Sequence, residues 1–321
     1  MTSDLPPAGT ADNPHSADSL PAGTADNPHS ATHKGNPTGF RSPQSPIGPG
    51  ICEAAAAGLL LLLMLVPNSL LNSDGDTAHH LAVGRQILAT GTLTPTDIFT
   101  QPHFGQPWLN WEWLADGVFA AADAVLGLNG VALLTAALIA GTIYGLCRRC
   151  MARGLHPVPT LVLGLLTAAA SEIHWLARPH LFSFALLLGV LYLLEEYRTG
   201  RSPARRLALV PPLMAVWANL HPAFVIGLVF CGAYWLGSLL EIAGRWAVGR
   251  GGNPHSAFRI PHSAIRELRA YTLTGVAAGM ATLLNPYSLG LHAHIVEFLR
   301  NPLLTRIIVE YQPPDFRQPI T

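Results

Sequence analysis

The sequence predicts an all-α, polytopic membrane protein, a transmembrane helix bundle of about seven spans with a helical first outer loop. Composition is the first reason: half of the 321 residues are apolar, only 12% are charged, and mean hydropathy is +0.32, a balance seldom met in a soluble chain of this length. Recurrence is the second. Apolar runs appear at Ala54 to Leu71, Val131 to Leu146, Pro157 to Ala170, Phe182 to Leu194, Leu207 to Ala218, Ala223 to Leu240 and Leu273 to Leu284. A bilayer core takes roughly 17 to 25 apolar residues per helix, so several of these spans are short.

Charge placement supplies the third observation and the orientation. Arg148, Arg149 and Arg153 sit between the second and third runs, and Arg198, Arg201, Arg205 and Arg206 between the fourth and fifth. Arg245, Arg250, Arg259, Arg266 and Arg269 sit between the sixth and seventh, while the alternate links carry only Arg85 and Arg178. The positive-inside rule places the basic links and the N-terminus in the cytoplasm and the C-terminus outside. With zero formal net charge, no global field argues for nucleic acid. The four cysteines form no disulfide framework, and Cys147-Arg-Arg-Cys150 lacks the second pair that a metal or redox motif would bring.

Along the chain, residues 1–50 are rich in Pro, Gly, Ser, Thr and Asn and read as a disordered tail. Within it Ala11-Asp-Asn-Pro-His-Ser-Ala17 recurs as Ala25-Asp-Asn-Pro-His-Ser-Ala31, with echoes at Asn253-Pro-His-Ser-Ala257 and Pro261-His-Ser-Ala264. A repeat inserted where structure tolerates it explains this, and metal capture by the histidines is the alternative. Residues 51–321 then form the transmembrane domain, with a large outer loop at 72–129, a cytoplasmic loop at 244–270 and an outer C-terminal segment at 286–321. The first span has no small-residue cleavage site after it and reads as an uncleaved anchor.

Residues with chemical potential gather on the outer side. Asp74-Gly75-Asp76 is a carboxylate pair suited to a divalent cation or a general base, and Asp76 also suits the N-cap of the helix that follows. Glu112 lies among Trp108, Trp111 and Trp113, which fit an interfacial aromatic belt. There its carboxyl either snorkels to water or has a raised pKa suited to acid–base work. Arg178, just before Pro179, lies at a helix start suited to phosphate, with an ion pair to Glu172 as the alternative. Asn219 and His221 sit where the chain turns before Pro222, and Asn285 and Tyr287 flank Pro286. Eight of the fourteen histidines are outside: His79, His80, His103, His174, His180, His221, His292 and His294. Converging histidines permit proton transfer or metal ligation, and none has HxxxH spacing.

In order, Asp74-Gly-Asp-Thr-Ala-His-His-Leu-Ala-Val-Gly-Arg-Gln-Ile-Leu88, Thr96-Asp97, Pro107-Trp108, Glu112-Trp-Leu114, Arg178-Pro-His-Leu-Phe-Ser183, Trp217-Ala-Asn-Leu-His221 and Asn285-Pro-Tyr287 resemble a group of uncharacterised bacterial multi-pass membrane proteins. That group in turn resembles the GT-C superfamily of glycosyltransferases, including oligosaccharyltransferases and O-mannosyltransferases. The resemblance implies a GT-C-like fold in the bacterial inner membrane and transfer of a sugar from a polyprenyl-phosphate donor to an acceptor at the outer face. It further implies Asp76, Asp74, Glu112 and His221 as catalytic candidates and Arg178, His80, His174, Asn219, Asn285 and Tyr287 as substrate or phosphate contacts. A divalent metal, Mg or Mn, would sit at Asp74 and Asp76. The chain departs from that pattern at Ala78-His79, where an aromatic pair is usual, and lacks the Trp-Trp-Asp motif and a large soluble C-terminal domain. Alternatives are a transporter, weighed against by spans that are clean at their centres, an acyltransferase, and a truncated membrane protein without catalysis.

Overall fold

A computed structural model describes residues 50–66, 70–71, 75–250 and 262–303, with side chains 247–250 left aside, and all of them lie within one compact unit, Ser45–Thr321. Asp74, the tail with its repeats, the loop repeat up to Pro261 and residues 304–321 of the outer segment lie outside the described residues. The described residues are helical between turns, without a strand, and the single Thr96 to Pro107 bridge belongs to a loop.

Ten α-helices follow in order. They are α1 (Gly50–Leu65), α2 (Asp76–Thr90), α3 (Trp113–Leu126), α4 (Leu128–Ala152) and α5 (Pro157–Ser171). After these come α6 (His180–Arg198), α7 (Val210–Leu220), α8 (Phe224–Arg250), α9 (His262–Ala281) and α10 (Leu289–Arg300). A turn of 3-10 helix, Glu172–His174, precedes α6, and another, Ala204–Leu209, leads into α7.

Each apolar run of the sequence falls within or overlaps a helix, but length divides them. Among the described residues, three helices are long and apolar enough to cross a membrane: Leu128–Ala152, His180–Arg198 and Phe224–Trp246. The 16-residue α1 is a shorter apolar helix. With only 11 residues, α7 reaches about 16 Å, half a hydrocarbon core. Pro211 and Pro212 near its start explain the location of that start, since the ring fixes a helical φ and the missing N–H is needed least in the first turn. At the head of α5 the same device uses Pro157, with the His156 ring accepting from the Val158 N–H at 3.3 Å.

Outward faces are apolar. Leu163, Leu165, Leu166, Val229, Leu236 and Leu240 all point away from the bundle, an arrangement that lipid tolerates and water penalises. Inside, Trp217, Met214 and Phe224 pack with Val190, Leu194 and Tyr271 where α6, α7, α8 and α9 meet. A second core joins α2, α3 and α4 through Leu81, Ala115, Phe119 and Val131. It depends on close approach of α2 to α3 at Gly84, where a Cβ would fall on the Asp116 carbonyl and the Ala120 methyl.

Helix α6 fixes two polar ends about 27 Å apart. At its C-terminal end Glu196 binds Arg149 at 2.8 Å and Arg153 at 3.3 Å, and Glu195 binds Arg198 at 2.6 Å and the Tyr234 hydroxyl at 3.0 Å. The opposite end holds the carboxylates and histidines described next.

Candidate functional site

The loop from α2 to α3 builds the site floor. Its fold is set by Asp97, whose carboxylate accepts from the N–H groups of Phe99 (2.8 Å) and Thr100 (3.0 Å) and from the Thr100 hydroxyl. Those bonds, chiefly that of Thr100, hold Asp97 below the usual carboxylate range. Asp97 is thereby a loop organiser. The chain then returns to Asn110, a buried clamp with three tasks. Its backbone N–H donates to the Tyr287 hydroxyl at 3.2 Å, its amide donates to Asp116 Oδ2 at 2.7 Å, and its Oδ1 accepts from the Glu112 N–H at 3.1 Å.

Asp116 is 2% exposed in the first turn of α3, and its second oxygen accepts from His80 Nδ1 at 2.7 Å. With one oxygen on Asn110 and the other on His80, Asp116 fixes the imidazole tautomer, leaving Nε2 as the nitrogen that titrates. Burial by itself would lower the His80 pKa. The hydrogen bond and charge of Asp116, with Glu112 and Asp76 beyond, outweigh it and raise the ring above its ordinary 6.5.

Asp76 opens α2 without capping it: Gly75 occupies the cap position with no side-chain bond. Instead Asp76 Oδ2 binds Arg178 at 2.8 Å, so the guanidinium that the sequence offered to a phosphate or to Glu172 bridges α2 to the start of α6. That pair is open to solvent on the Asp76 side, which is 57% exposed.

Glu112 and His221 face each other across the site, Oε1 to Nε2 at 3.4 Å, with side chains 18% and 19% exposed. Hydrogen bonds assign the His221 tautomer. Its Nδ1 accepts from the Ala223 N–H at 3.2 Å and meets Ser183 Oγ at 2.9 Å, while the Ser183 oxygen accepts from Trp217 Nε1 at 2.7 Å. The serine proton therefore points at Nδ1, and the imidazole hydrogen is on Nε2, the nitrogen nearer Glu112. Burial pushes Glu112 up from 4.5 to about 7, with Asp116 and Asp76 adding to the rise and His80 and Arg178 opposing it. The same burial drives His221 down to about 3. At neutral pH the contact thus sets a neutral imidazole against a carboxyl poised between its two states.

Asp76, His80, Glu112, Arg178 and His221, drawn from four separated stretches of sequence, converge on one end of the bundle. His174 and His180 stack at its edge, with ring centroids 5.7 Å apart and His180 6.4 Å from His221. Asn219 supports the wall: its Oδ1 accepts from Trp113 Nε1 at 2.9 Å, and its amide donates to the carbonyls of Ala215 (2.7 Å) and Leu284 (2.8 Å). Asn285 folds its own turn, with Oδ1 accepting from the Tyr287 N–H at 2.8 Å and the amide donating to Thr282 O at 2.7 Å. The tryptophans divide among packing tasks, Trp111 stacking on His294 and Phe298, and Trp108 on His79 and Phe99.

Asp116 and Asn110 escape a reading by motif, and Ser183, though it closes the Arg178 to Ser183 motif, was given no role there. Only Asp116 leaves a trace in the sequence, since four residues after Glu112 is one helical turn. Among the described residues, no three His, Cys, Asp or Glu side chains are arranged to hold a metal ion. Asp116 has both oxygens on His80 and Asn110, Glu112 faces His221 and Asp76 is bound to Arg178. Asp74 lies outside the described residues. Beside the cluster, a groove of about 580 Å³ is lined by Trp113, Leu114, Val216, Asn219, Leu284 and Pro286. A larger one, about 800 Å³, runs along α10 away from the chemistry. No protein family, characterised protein or solved structure matches the chain.

Proposed function

We propose that the chain is a membrane glycosyltransferase of GT-C type, moving a sugar from a polyprenyl-phosphate donor to an acceptor hydroxyl at the outer face of a bacterial inner membrane. In this reading the helices complete a bundle of about seven spans, the Arg-rich end is cytoplasmic, and the carboxylate and histidine cluster is outside. The observation that carries it is a buried carboxyl with a pKa of about 7, Glu112, set against a neutral imidazole and within electrostatic reach of Arg178.

The groove beside Trp113 and Leu284 is apolar and adjoins Asn219, which suits an isoprenoid chain entering sideways from the bilayer. Its phosphate would meet Arg178, displacing or sharing Asp76. Ionised Glu112 takes the proton from the acceptor hydroxyl as the oxygen attacks the anomeric carbon. The bond from that carbon to the phosphate oxygen breaks, the electron pair leaves on polyprenyl phosphate, and Arg178 offsets the charge. His221 orients the Glu112 carboxyl through Nε2–H, and the Asp116–His80 pair supplies a second site for the proton. The base role passes from Asp76, held in an ion pair, to Glu112. Placement of the ionisable groups at helix ends, away from the middle of the long helices, weighs against a transport pathway.

Purified protein in liposomes, supplied with a polyprenyl-phosphate sugar, tests the reading by release of polyprenyl phosphate. Glu112→Gln is expected to reduce release by about 10²-fold to 10⁴-fold, and Arg178→Gln to weaken donor binding. Unchanged turnover in Glu112→Gln and in Asp76→Asn would sink the assignment.

A further inference from the structure

The opposite end of the bundle carries a second polar feature that the proposed reaction does not use. A groove of about 690 Å³ runs between the turn that leads into α7 and the length of α9 from His262 to Ala277. Arg266, Arg269, Leu273 and Ala277 follow at intervals of three and four residues, which places them on a single stripe of α9, and Leu207 and Pro211 form the facing wall. The stripe is cationic at its Arg-rich end and apolar thereafter. From Arg266 to Ala277 it spans about 16 Å, close to half a hydrocarbon core.

Its guanidiniums differ from their neighbours. Arg149, Arg153, Arg198 and Arg201 are all bound to Glu195 or Glu196. Among the described residues neither Arg266 nor Arg269 is in an ion pair, and no carboxylate lines the groove. The nearest acid on the same helix, Glu267, is turned toward Ser238 of α8. A site with two uncompensated cations at one end and apolar walls behind them matches an anionic amphiphile: a phosphate within reach of both guanidiniums and a chain lying along Leu207, Leu273 and Ala277.

We propose that this groove is a binding site for an anionic phospholipid of the leaflet at the Arg-rich end, with its headgroup phosphate held by Arg266 and Arg269. The site is independent of the reading given for the other end of the bundle.

Full-length protein in neutral detergent, titrated with phosphatidylglycerol or phosphatidylcholine and read by native mass spectrometry, tests it. Phosphatidylglycerol is expected to bind at least tenfold more tightly. Arg266→Gln with Arg269→Gln should weaken it about 30-fold, roughly 2 kcal/mol at a factor of ten per 1.4 kcal/mol. Arg266→Lys with Arg269→Lys should keep most of the preference, which separates loss of the site from loss of the fold. Arg148→Gln with Arg245→Gln removes the same charge elsewhere and should change binding less than threefold. Equal affinity for the two lipids would overturn the proposal. So would equal weakening by the control pair, or inorganic phosphate competing as well as the lipid does.

Discussion

Replacing Glu112 by Gln should slow the proposed transfer by about 10²-fold to 10⁴-fold and strengthen the fold, and the gain should depend on pH. In the folded protein burial holds this carboxyl at about 7, against 4.5 when unperturbed. Between those values the folded state binds the proton and the unfolded state has released it, so stability falls as pH rises from 4.5 to 7. Each tenfold difference in proton affinity is worth about 1.4 kcal/mol, which brings the cost of the ionised form above pH 7 to about 3 kcal/mol. Gln keeps the shape and cannot ionise. Denaturant unfolding in detergent, followed by tryptophan fluorescence, should therefore show variant and wild type alike near pH 4.5 and the variant about 3 kcal/mol more stable at pH 8. A stability difference that stays constant from pH 4.5 to 8 would refute the buried, proton-holding carboxyl.

Three other perturbations follow from the same geometry. His221→Asn should flatten the acid limb of the stability profile: a ring lowered to about 3 from 6.5 contributes stability that is full above 6.5 and is lost as pH falls through 3, and calorimetry across that window checks it. Asp116→Ala strips His80 and Asn110 of a buried partner, so a loss of about 3 to 5 kcal/mol is expected in denaturant unfolding, and nuclear magnetic resonance should find the His80 pKa lowered. Gly84→Ala drives a methyl into the backbone of α3, and a loss of roughly 1 to 3 kcal/mol, or more if α2 cannot shift, should appear as a lowered unfolding midpoint.

Helical segments were legible because apolar runs in this chain have one use, and Pro157, Pro179, Pro211 and Pro222 mark where several of them begin. Span length was less legible. The run from Leu207 to Ala218 contains a 3-10 turn and then an 11-residue helix, and hydropathy does not distinguish that from a crossing. The Arg residues near the second and fourth runs do gather at one end, because each follows the helix that carries it.

At the candidate site, chemistry-bearing residues were visible by type, and their pairings were not. His80 meets Asp116 across 36 positions and Asn110 meets Tyr287 across 177. Such partners are set by helix packing, which a linear pattern does not encode. Arg178 shows the same limit: Glu172 is its neighbour in sequence, but the approach of α2 gives it Asp76. The resemblance implied Asn219, Asn285 and Tyr287 as ligand contacts, and the sequence did not show that backbone carbonyls and N–H groups left over at the helix ends engage them. For Glu112 the indoles left two readings open, snorkelling to water or a raised pKa, and burial favours the second.

The most direct test of the account is the pH dependence of sugar release from a polyprenyl-phosphate donor by the protein in liposomes. A base that must be ionised and titrates at about 7 gives a turnover that rises with pH and levels off above about 8. A turnover flat from pH 5 to 8, or one that falls across that range, would contradict Glu112 as the base and with it the central claim.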